Sequence, residues 1–296
     1  MSEMIKLPLL NSYIDYWAEK RPDDVAMVQH EDGKTVTYKQ FKTYIDFFAL
    51  RLLDMGIEKG DRVATQLVLV PEHVMLMYAC FKIGAIIAPL DLRLKQEEIV
   101  RDINKIEPKA FFFLGNTPVT DFREIGKAVK QSCPSVEHLV QFTPDPKPGD
   151  VIEGAIAITE MMSKGKLIML KLANIFKKRL EKAYAGISSQ TPALIIYTTG
   201  TTGEPKPAVL CHENIIVQNQ ILERGVGIED TESGSGYITL VNLPPSHVGC
   251  VTETLMTTLF KGGTAVLLRI FDVEATLEAI QKHRVTLLGQ IPTQFR

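Results

Sequence analysis

The chain has 296 residues, of which 45% are hydrophobic and 23% are charged, a composition typical of soluble globular proteins. This length suffices for one large domain or two ordinary ones with a buried core. The formal net charge of −2 excludes a global attraction to nucleic acid or to an acidic membrane surface.

The cysteines and the N-terminus indicate where the protein works. Four cysteines stand singly, without a CxxC pair: Cys80, Cys133, Cys211 and Cys250. Such spacing favours a reducing compartment over a disulfide framework or a zinc site. The N-terminus lacks a basic region followed by an apolar core, so it does not resemble a signal peptide. Charged residues interrupt the most apolar stretch, residues 63–90, which argues against a membrane span. We therefore expect a cytoplasmic protein.

Strand and helix patterns alternate along the chain. Residues 8–20 follow a helical pattern, and residues 24–41 alternate around Asp32-Gly33, which is a hairpin signal. Thr37 is placed to cap the next helix, and Gly56 to end it. The further elements expected are helices at 38–55, 71–84 and 95–106, and strands at 61–69, 85–91 and 109–115. This alternation predicts an α/β fold with mostly parallel sheets packed between helices.

The middle of the chain carries a long connection and a basic helix. Residues 143–150 are rich in turn formers. Residues 164–187 predict an amphipathic helix with a lysine-rich face, interrupted on its apolar side by Arg179. One interpretation is a helix that rests on anionic membrane. We favour the other, a surface helix that covers the core and exposes its lysines to solvent.

A threonine- and glycine-rich loop follows the buried-strand pattern "ALIIY". Its residues are Thr198, Thr199, Gly200, Thr201, Thr202, Gly203, Glu204, Pro205 and Lys206. Ligands of open α/β sheets bind at the carboxyl ends of strands. Glycines let the backbone approach an anion, while threonine hydroxyls and a lysine add donors and charge. The loop therefore predicts a polyphosphate site, although its composition alone also suits a flexible turn.

The residues in this region do not match two better-known motifs. A Walker A loop requires lysine directly after the second glycine, and Glu204 and Pro205 intervene here. His212-Glu213 begins an HExxH-like pattern, but Ile216 stands at the second histidine position. We therefore predict neither a Walker-type kinase nor a protein metal site.

Five sequence elements, in order, resemble those of the adenylate-forming enzymes. "YTTGTTGEPK" resembles the phosphate-loop signature YTSGTTGxPKG of that superfamily, which includes acyl-CoA synthetases, peptide-synthetase adenylation domains and luciferases. "NLPPSHVGCV" resembles the PxxHxxG element of its CoA ligases. The other three are "VTYKQF", "FKIGAIIAPLD" and "FDVEATLEAIQKHRVTLLGQIPT". Together they cover nearly the whole chain.

The resemblance implies ATP-dependent activation of a carboxylic acid, and the apolar segment 252–260 would favour a fatty or aromatic acid. The acid would become an acyl-adenylate and then a thioester of coenzyme A, with Mg²⁺ accompanying ATP. It implies that Thr198, Thr199, Gly200, Thr201, Thr202, Gly203 and Lys206 surround the phosphates. It gives catalytic parts to Lys206 and to His247, which would lie between the ATP and acyl sites.

Two residues depart from the family pattern. Pro207 replaces a glycine, so it lacks an N–H and excludes positive φ. We expect altered local geometry there rather than a disabled loop. Cys211 replaces a small hydroxyl residue, and we expect a buried hydrophobe rather than a nucleophile.

The sequence holds only the upstream elements of that superfamily. It ends at "IPTQFR", before the adenine- and Mg²⁺-binding element, the ribose-binding aspartate, the hinge and the C-terminal domain with its catalytic lysine. We therefore expect the N-terminal portion of a longer enzyme that does not complete the ligase reaction by itself. Within it, we predict a first subdomain at residues 1–190 and a second at 191–296.

Several functions remain open from the sequence. PxxHxxG favours a coenzyme A ligase over a peptide-synthetase domain. An acyl-AMP ligase that serves a carrier protein is an alternative, as is a non-catalytic nucleotide- or acyl-binding module. The segment "TETLMTTLF" (252–260) fits either an apolar acyl tunnel or an amphipathic core helix. The oligomeric state is not readable from the sequence.

Overall fold

Strands and helices alternate through the protein, as the sequence predicts. The computed structural model describes residues 5–143, 146–163, 165, 174–198, 203–226, 236–291 and 294. The helices are α1 (Leu10–Lys20), α2 (Tyr38–Asp54), α3 (Pro71–Ile83), α4 (Gln96–Ile106), α5 (Arg123–Ser132), α6 (Ile158–Met161), α7 (Asn174–Ala185), α8 (His212–Val226), a π-helix (Gly249–Met256), α9 (Thr257–Lys261) and α10 (Val273–His283). The strands are β1 (Val25–Gln29), β2 (Thr35–Thr37), β3 (Arg62–Gln66), β4 (Ile86–Pro89), β5 (Ala110–Leu114), β6 (His138–Phe142), β7 (Ala155–Ala157), β8 (Pro192–Thr198), β9 (Lys206–Cys211), β10 (Ile238–Val241), β11 (Thr264–Leu267) and β12 (Leu287–Leu288).

The strands form two sheets that are parallel except at one hairpin each. The seven-stranded sheet has the order β7-β6-β5-β3-β4-β8-β9, and the five-stranded sheet has the order β12-β10-β11-β1-β2. The antiparallel pairs are β8–β9 and β1–β2, and the latter is the hairpin predicted around Asp32-Gly33. Parallel sheets bury both faces, which explains strands of continuous apolar sequence such as Phe111–Phe113.

Short-range sequence signals set the ends of the helices. Thr37 accepts a hydrogen bond from the Gln40 backbone N–H, and the Gln40 side chain accepts one from the Thr37 N–H. This reciprocal pair is a capping box that starts α2. Pro71 occupies the first turn of α3, and Gly84 ends it in the left-handed conformation at φ 76°.

A helical layer separates the two sheets. α3 contacts β4 of the larger sheet and β1 of the smaller one. Its side chains are buried from Val74 to Ile83, so it lacks the exposed polar face of a surface helix. A single hydrophobic cluster extends from Leu10 to Leu267 and joins both sheets. A smaller cluster lies beneath α10 and includes Leu240 and Ala279.

The segment 252–260 is a buried helix of mixed type. Residues Gly249–Met256 form a π-helix, which continues as α9. The Thr254 hydroxyl donates to the carbonyls of Gly249 and Cys250 at 2.9 and 2.7 Å, which favours the wider turn. Leu255, Met256 and Leu259 are fully buried, as the core-helix interpretation of this segment requires.

The described part of the basic helix packs against the protein. α7 contacts α2 and α3. The Arg179 guanidinium binds Asp54 Oδ1 at 3.2 Å and the Leu53 carbonyl, so this residue anchors α7 to α2. Most of residues 164–173 lie outside the described residues. Within the described parts of the chain, none of the helices has the length and apolar content to cross a membrane.

The predicted division at residues 190 and 191 does not follow the sheets. β8 and β9, from the second segment, belong to the seven-stranded sheet with β3–β7. β1, from the first segment, pairs with β11 in the five-stranded sheet, and β2 pairs with β1 there. The division into two subdomains stays a prediction, and both sheets take strands from both sides of it.

Candidate functional site

The carboxyl ends of strands from both sheets meet in one region. Asp91 follows β4 and Ser246 follows β10, and the Ser246 hydroxyl donates to Asp91 Oδ2 at 3.4 Å. β8 is the parallel neighbour of β4 in the seven-stranded sheet, so Thr198 at its carboxyl end lies at the same edge. This edge is where open α/β sheets bind their ligands.

The β8–β9 hairpin brings the two ends of the threonine-glycine loop together. Thr198 and Lys206 are paired across the hairpin, and the Thr198 hydroxyl donates to the Lys206 carbonyl at 3.3 Å. Gly203 has a φ of 90°, a conformation that residues with a side chain rarely adopt. Lys206 is exposed and makes no ion pair within the described part of the chain. Its ammonium group is therefore available to an anion.

Pro207 is accommodated because it lies in an outermost strand of the sheet. It is the second residue of β9, the outermost strand of the seven-stranded sheet, and it pairs with Tyr197. Proline is tolerated in edge strands because no further strand needs its missing N–H. The hairpin therefore forms despite the departure from the family pattern.

Besides the hairpin, the candidate site contains the charged side chain of Asp91. Arg93 donates from Nε to Asp91 Oδ1 at 3.0 Å and from Nη2 to Oδ2 at 2.7 Å. Burial alone would raise the pKa of Asp91, but the hydrogen bonds and charge of Arg93 outweigh it and lower that pKa. The carboxylate is therefore ionised at neutral pH.

His247 stands beside this carboxylate with its ring exposed to solvent. Its Nε2 lies 3.8 Å from Asp91 Oδ2, which is too long for a hydrogen bond. The side chain is 54% exposed. The His247 carbonyl accepts hydrogen bonds from the N–H groups of Cys250 and Val251, where the π-helix begins. The backbone is thus held while the imidazole is exposed to solvent.

The structure places only part of the predicted site. Thr198, Gly203 and Lys206 lie in the hairpin, and His247 lies beside Asp91 at the strand ends. The predicted phosphate contacts outside the described residues are Thr199, Gly200, Thr201 and Thr202. Sequence reasoning did not single out Asp91, although a signal was present, since this residue ends the "PLD" of a family-like element and follows a strand.

Two further histidines are buried in the core. His73 lies under β3, where its Nε2 is 2.9 Å from the Thr65 hydroxyl and its Nδ1 is 3.2 Å from the Val68 carbonyl. His212 begins α8, and its Nδ1 accepts from the Leu10 N–H at 3.3 Å. Burial lowers the pKa of each to about 4. Both are neutral core residues.

The cysteine side chains lie in environments typical of structural rather than reactive residues. Burial raises the pKa values of Cys80 and Cys250 well above the usual range. Cys211 corrects our expectation of a buried residue, because it is only partly buried and its Sγ lies 3.0 Å from Asn214 Oδ1. Its position at the end of an edge strand leaves one side open to solvent.

The described residues contain no group of three or more histidine, cysteine, aspartate or glutamate side chains arranged to hold a metal ion.

The fold defines an α/β protein with a candidate ligand site at the carboxyl ends of its strands, and comparison with known families makes the class specific. A family model described as AMP-binding enzyme matches residues 14–296. The chain belongs to this family, and its fold matches that of the N-terminal domain of FACL13 from Mycobacterium tuberculosis, with a TM-score of 0.70 at 22% identity over 97% of this chain and 64% of that one.

Individual relatives resemble the chain over nearly all its length. The mitochondrial medium-chain acyl-CoA ligase ACSF2 of Bos taurus is 26% identical over 293 residues, which are 95% of this chain and 46% of that protein. The medium-chain fatty-acid–CoA ligase of Escherichia coli (strain K12) is 26% identical over 289 residues, 95% of this chain and 46% of that protein. The chain therefore spans about half the length of the curated relatives it matches.

A solved structure has the same fold. ATP-bound MatB from Rhodopseudomonas palustris matches with a TM-score of 0.70 at 22% identity, over 97% of this chain and 50% of that one. Because the identity is low, this similarity concerns the fold.

Proposed function

We propose that the protein is an acid–thiol ligase that activates a carboxylic acid with ATP and passes the acyl group to coenzyme A. The observation that carries the proposal is the hairpin Thr198–Lys206, which opens at the same strand edge as Asp91 and His247. The family membership and the names of the two ligase relatives support it.

The proposed reaction has two displacements. A carboxylate oxygen attacks the α-phosphorus of ATP, the bond to the β-phosphate oxygen breaks, and pyrophosphate leaves. The sulfur of coenzyme A then attacks the acyl carbon, AMP leaves with the bonding electrons, and the thiol proton passes to solvent. AMP is a far better leaving group than the oxygen of a free carboxylate, which is why the first step is needed.

The proposed roles follow from charge and position. The Lys206 ammonium and the donors of the loop, with Thr199, Gly200, Thr201 and Thr202 included by resemblance, would neutralise charge that builds on the departing pyrophosphate. Mg²⁺ would come with ATP as the companion of its phosphates. The exposed His247 imidazole, held beside the Asp91 carboxylate, would face the acid substrate.

For the substrate we propose a class of acid rather than a particular compound, and for the location a compartment. A fatty acid is favoured because both ligase relatives are named for medium-chain acids. An acyl-AMP ligase with a carrier protein as acceptor would differ only in the second displacement. A cytoplasmic location is supported by four free cysteines.

Calorimetric titration of this chain with Mg-ATP tests the phosphate site. We expect Lys206→Ala to weaken binding by about tenfold or more, because it removes a charge-assisted contact to the phosphates. Lys127→Ala is the matched control, since Lys127 is an exposed lysine on α5 paired with Glu124. Equal affinity of the wild type and Lys206→Ala would contradict the proposed role of the hairpin.

A further inference from the structure

The hairpin is held from the side by one turn of α4. Lys105 Nζ donates to Glu204 Oε2 and to the Pro205 carbonyl, both at 3.2 Å. Glu204 and Pro205 connect Gly203 to Lys206, the residue proposed to bind phosphate. One lysine from a distant part of the chain therefore contacts the segment directly before that residue.

The same turn of α4 also holds the other arm of the hairpin. The Tyr197 hydroxyl donates to the Asp102 carbonyl at 2.6 Å. Asp102 and Lys105 are three residues apart and thus lie on one face of the helix. The Asp102 carboxylate is buried and accepts from Arg101 Nε at 2.8 Å, which fixes this turn. The end of β8 and the approach to β9 are consequently tied to a single rigid element.

The negative charge of Glu204 opposes the binding of phosphate groups near the loop. It is the only acidic residue between Tyr197 and Pro207. ATP carries several negative charges, and a carboxylate in the same loop repels them. Its side chain is 71% exposed, so solvent and salt reduce the repulsion without removing it. The neighbouring ammonium of Lys105 offsets this charge.

We infer that Lys105 is a positioning residue of the phosphate site, which neutralises Glu204 and fixes the segment directly before Lys206. The inference rests on the proposed function, since it concerns the binding of Mg-ATP. It assigns a role to a residue outside the loop and outside the family-like motifs of the sequence.

Three variants of the chain, titrated with Mg-ATP by calorimetry, test this inference. Lys105→Met keeps most of the aliphatic stem but leaves Glu204 uncompensated, and we expect about threefold to tenfold weaker binding. Glu204→Gln should bind at least as well as the wild type. The double variant should recover most of the affinity lost by Lys105→Met, because its net charge equals that of the wild type.

Salt dependence separates this electrostatic role from a structural one. The loss in Lys105→Met should shrink as ionic strength rises, because the repulsion from Glu204 is screened. Lys127→Met removes an exposed lysine elsewhere and should leave binding unchanged. Circular dichroism of each variant checks that the fold is retained.

The outcomes distinguish this inference from the proposed function. If the wild type binds Mg-ATP, Lys206→Ala weakens binding and Lys105→Met has no effect, only the inference fails. Failure of Glu204→Gln to rescue Lys105→Met would overturn it as well. If the wild type does not bind Mg-ATP, the proposed phosphate site fails and the inference fails with it.

Discussion

The protonation state of buried His73 follows from the groups that surround its ring. Its Nδ1 faces the Val68 carbonyl, which only accepts, so that nitrogen carries the proton. Its Nε2 then accepts from the Thr65 hydroxyl, and burial of the ring keeps it neutral. His212 is likewise neutral, since its Nδ1 accepts from the Leu10 N–H. Its protonated Nε2 is buried and has no hydrogen-bond partner among the described residues.

These two histidines predict a loss of stability in mild acid. Their pKa values fall from 6.5 to about 4 on folding, so the unfolded chain binds more protons between these values. The stabilisation is present above pH 6.5 and is lost as the pH falls toward 4, by about 2 to 3 kcal/mol for each histidine. Urea unfolding at a series of pH values measures it. His73→Leu should show a shallower pH dependence than the wild type, and an unchanged dependence would contradict this account.

At the scale of elements, most helix ends follow from local chemistry. The capping box at Thr37 and the left-handed Gly84 are visible as residue types at fixed spacing. The π-helix is not visible in this way, because it depends on threonine hydroxyls that compete for backbone carbonyls inside a buried segment. Sequence reasoning therefore left 252–260 open between an acyl tunnel and a core helix, and it gave no signal for the π-helical type.

The capping box gives a prediction for α2. Thr37→Ala removes the side-chain acceptor of the Gln40 N–H and should lower the free energy of unfolding by about 1 kcal/mol. Thr43→Ala on the same helix is the control, because its exposed hydroxyl bonds only to the Lys39 carbonyl behind it. Chemical denaturation of both variants measures the difference, and equal losses would show that the cap is not the cause.

At the scale of the whole molecule, the two sheets share one core. Trp17 is the only tryptophan, and its Nε1 donates to the Phe260 carbonyl at 2.9 Å. The Tyr38 hydroxyl donates to the Gly263 carbonyl at 2.8 Å. Early and late parts of the chain are thus joined by buried hydrogen bonds, across the predicted division at residues 190 and 191.

The shared core predicts cooperative unfolding. Trp17 fluorescence reports the contact between α1 and α9, while far-ultraviolet circular dichroism reports all the helices. We expect the two signals to change at the same urea concentration, since the main hydrophobic cluster spans both sheets. An earlier change in fluorescence would show that the segments before and after residue 190 separate first.

The sequence by itself determined the alternation of strands and helices, several of their ends and the position of a glycine-threonine loop after a buried strand. These features depend on periodicity and residue type within a few positions, so they can be read locally. It also carried the family-like motifs from which Lys206 and His247 were singled out.

Only the tertiary structure decided which distant residues meet. Pairing of β1 with β11, the contact of Ser246 with Asp91 and that of Lys105 with Glu204 join segments far apart in the chain. Such contacts form because apolar faces of remote strands and helices must cover one another, and no local pattern encodes which partner does so. The loop is therefore a property of the sequence, while its setting among Asp91, His247 and α4 is a property of the fold.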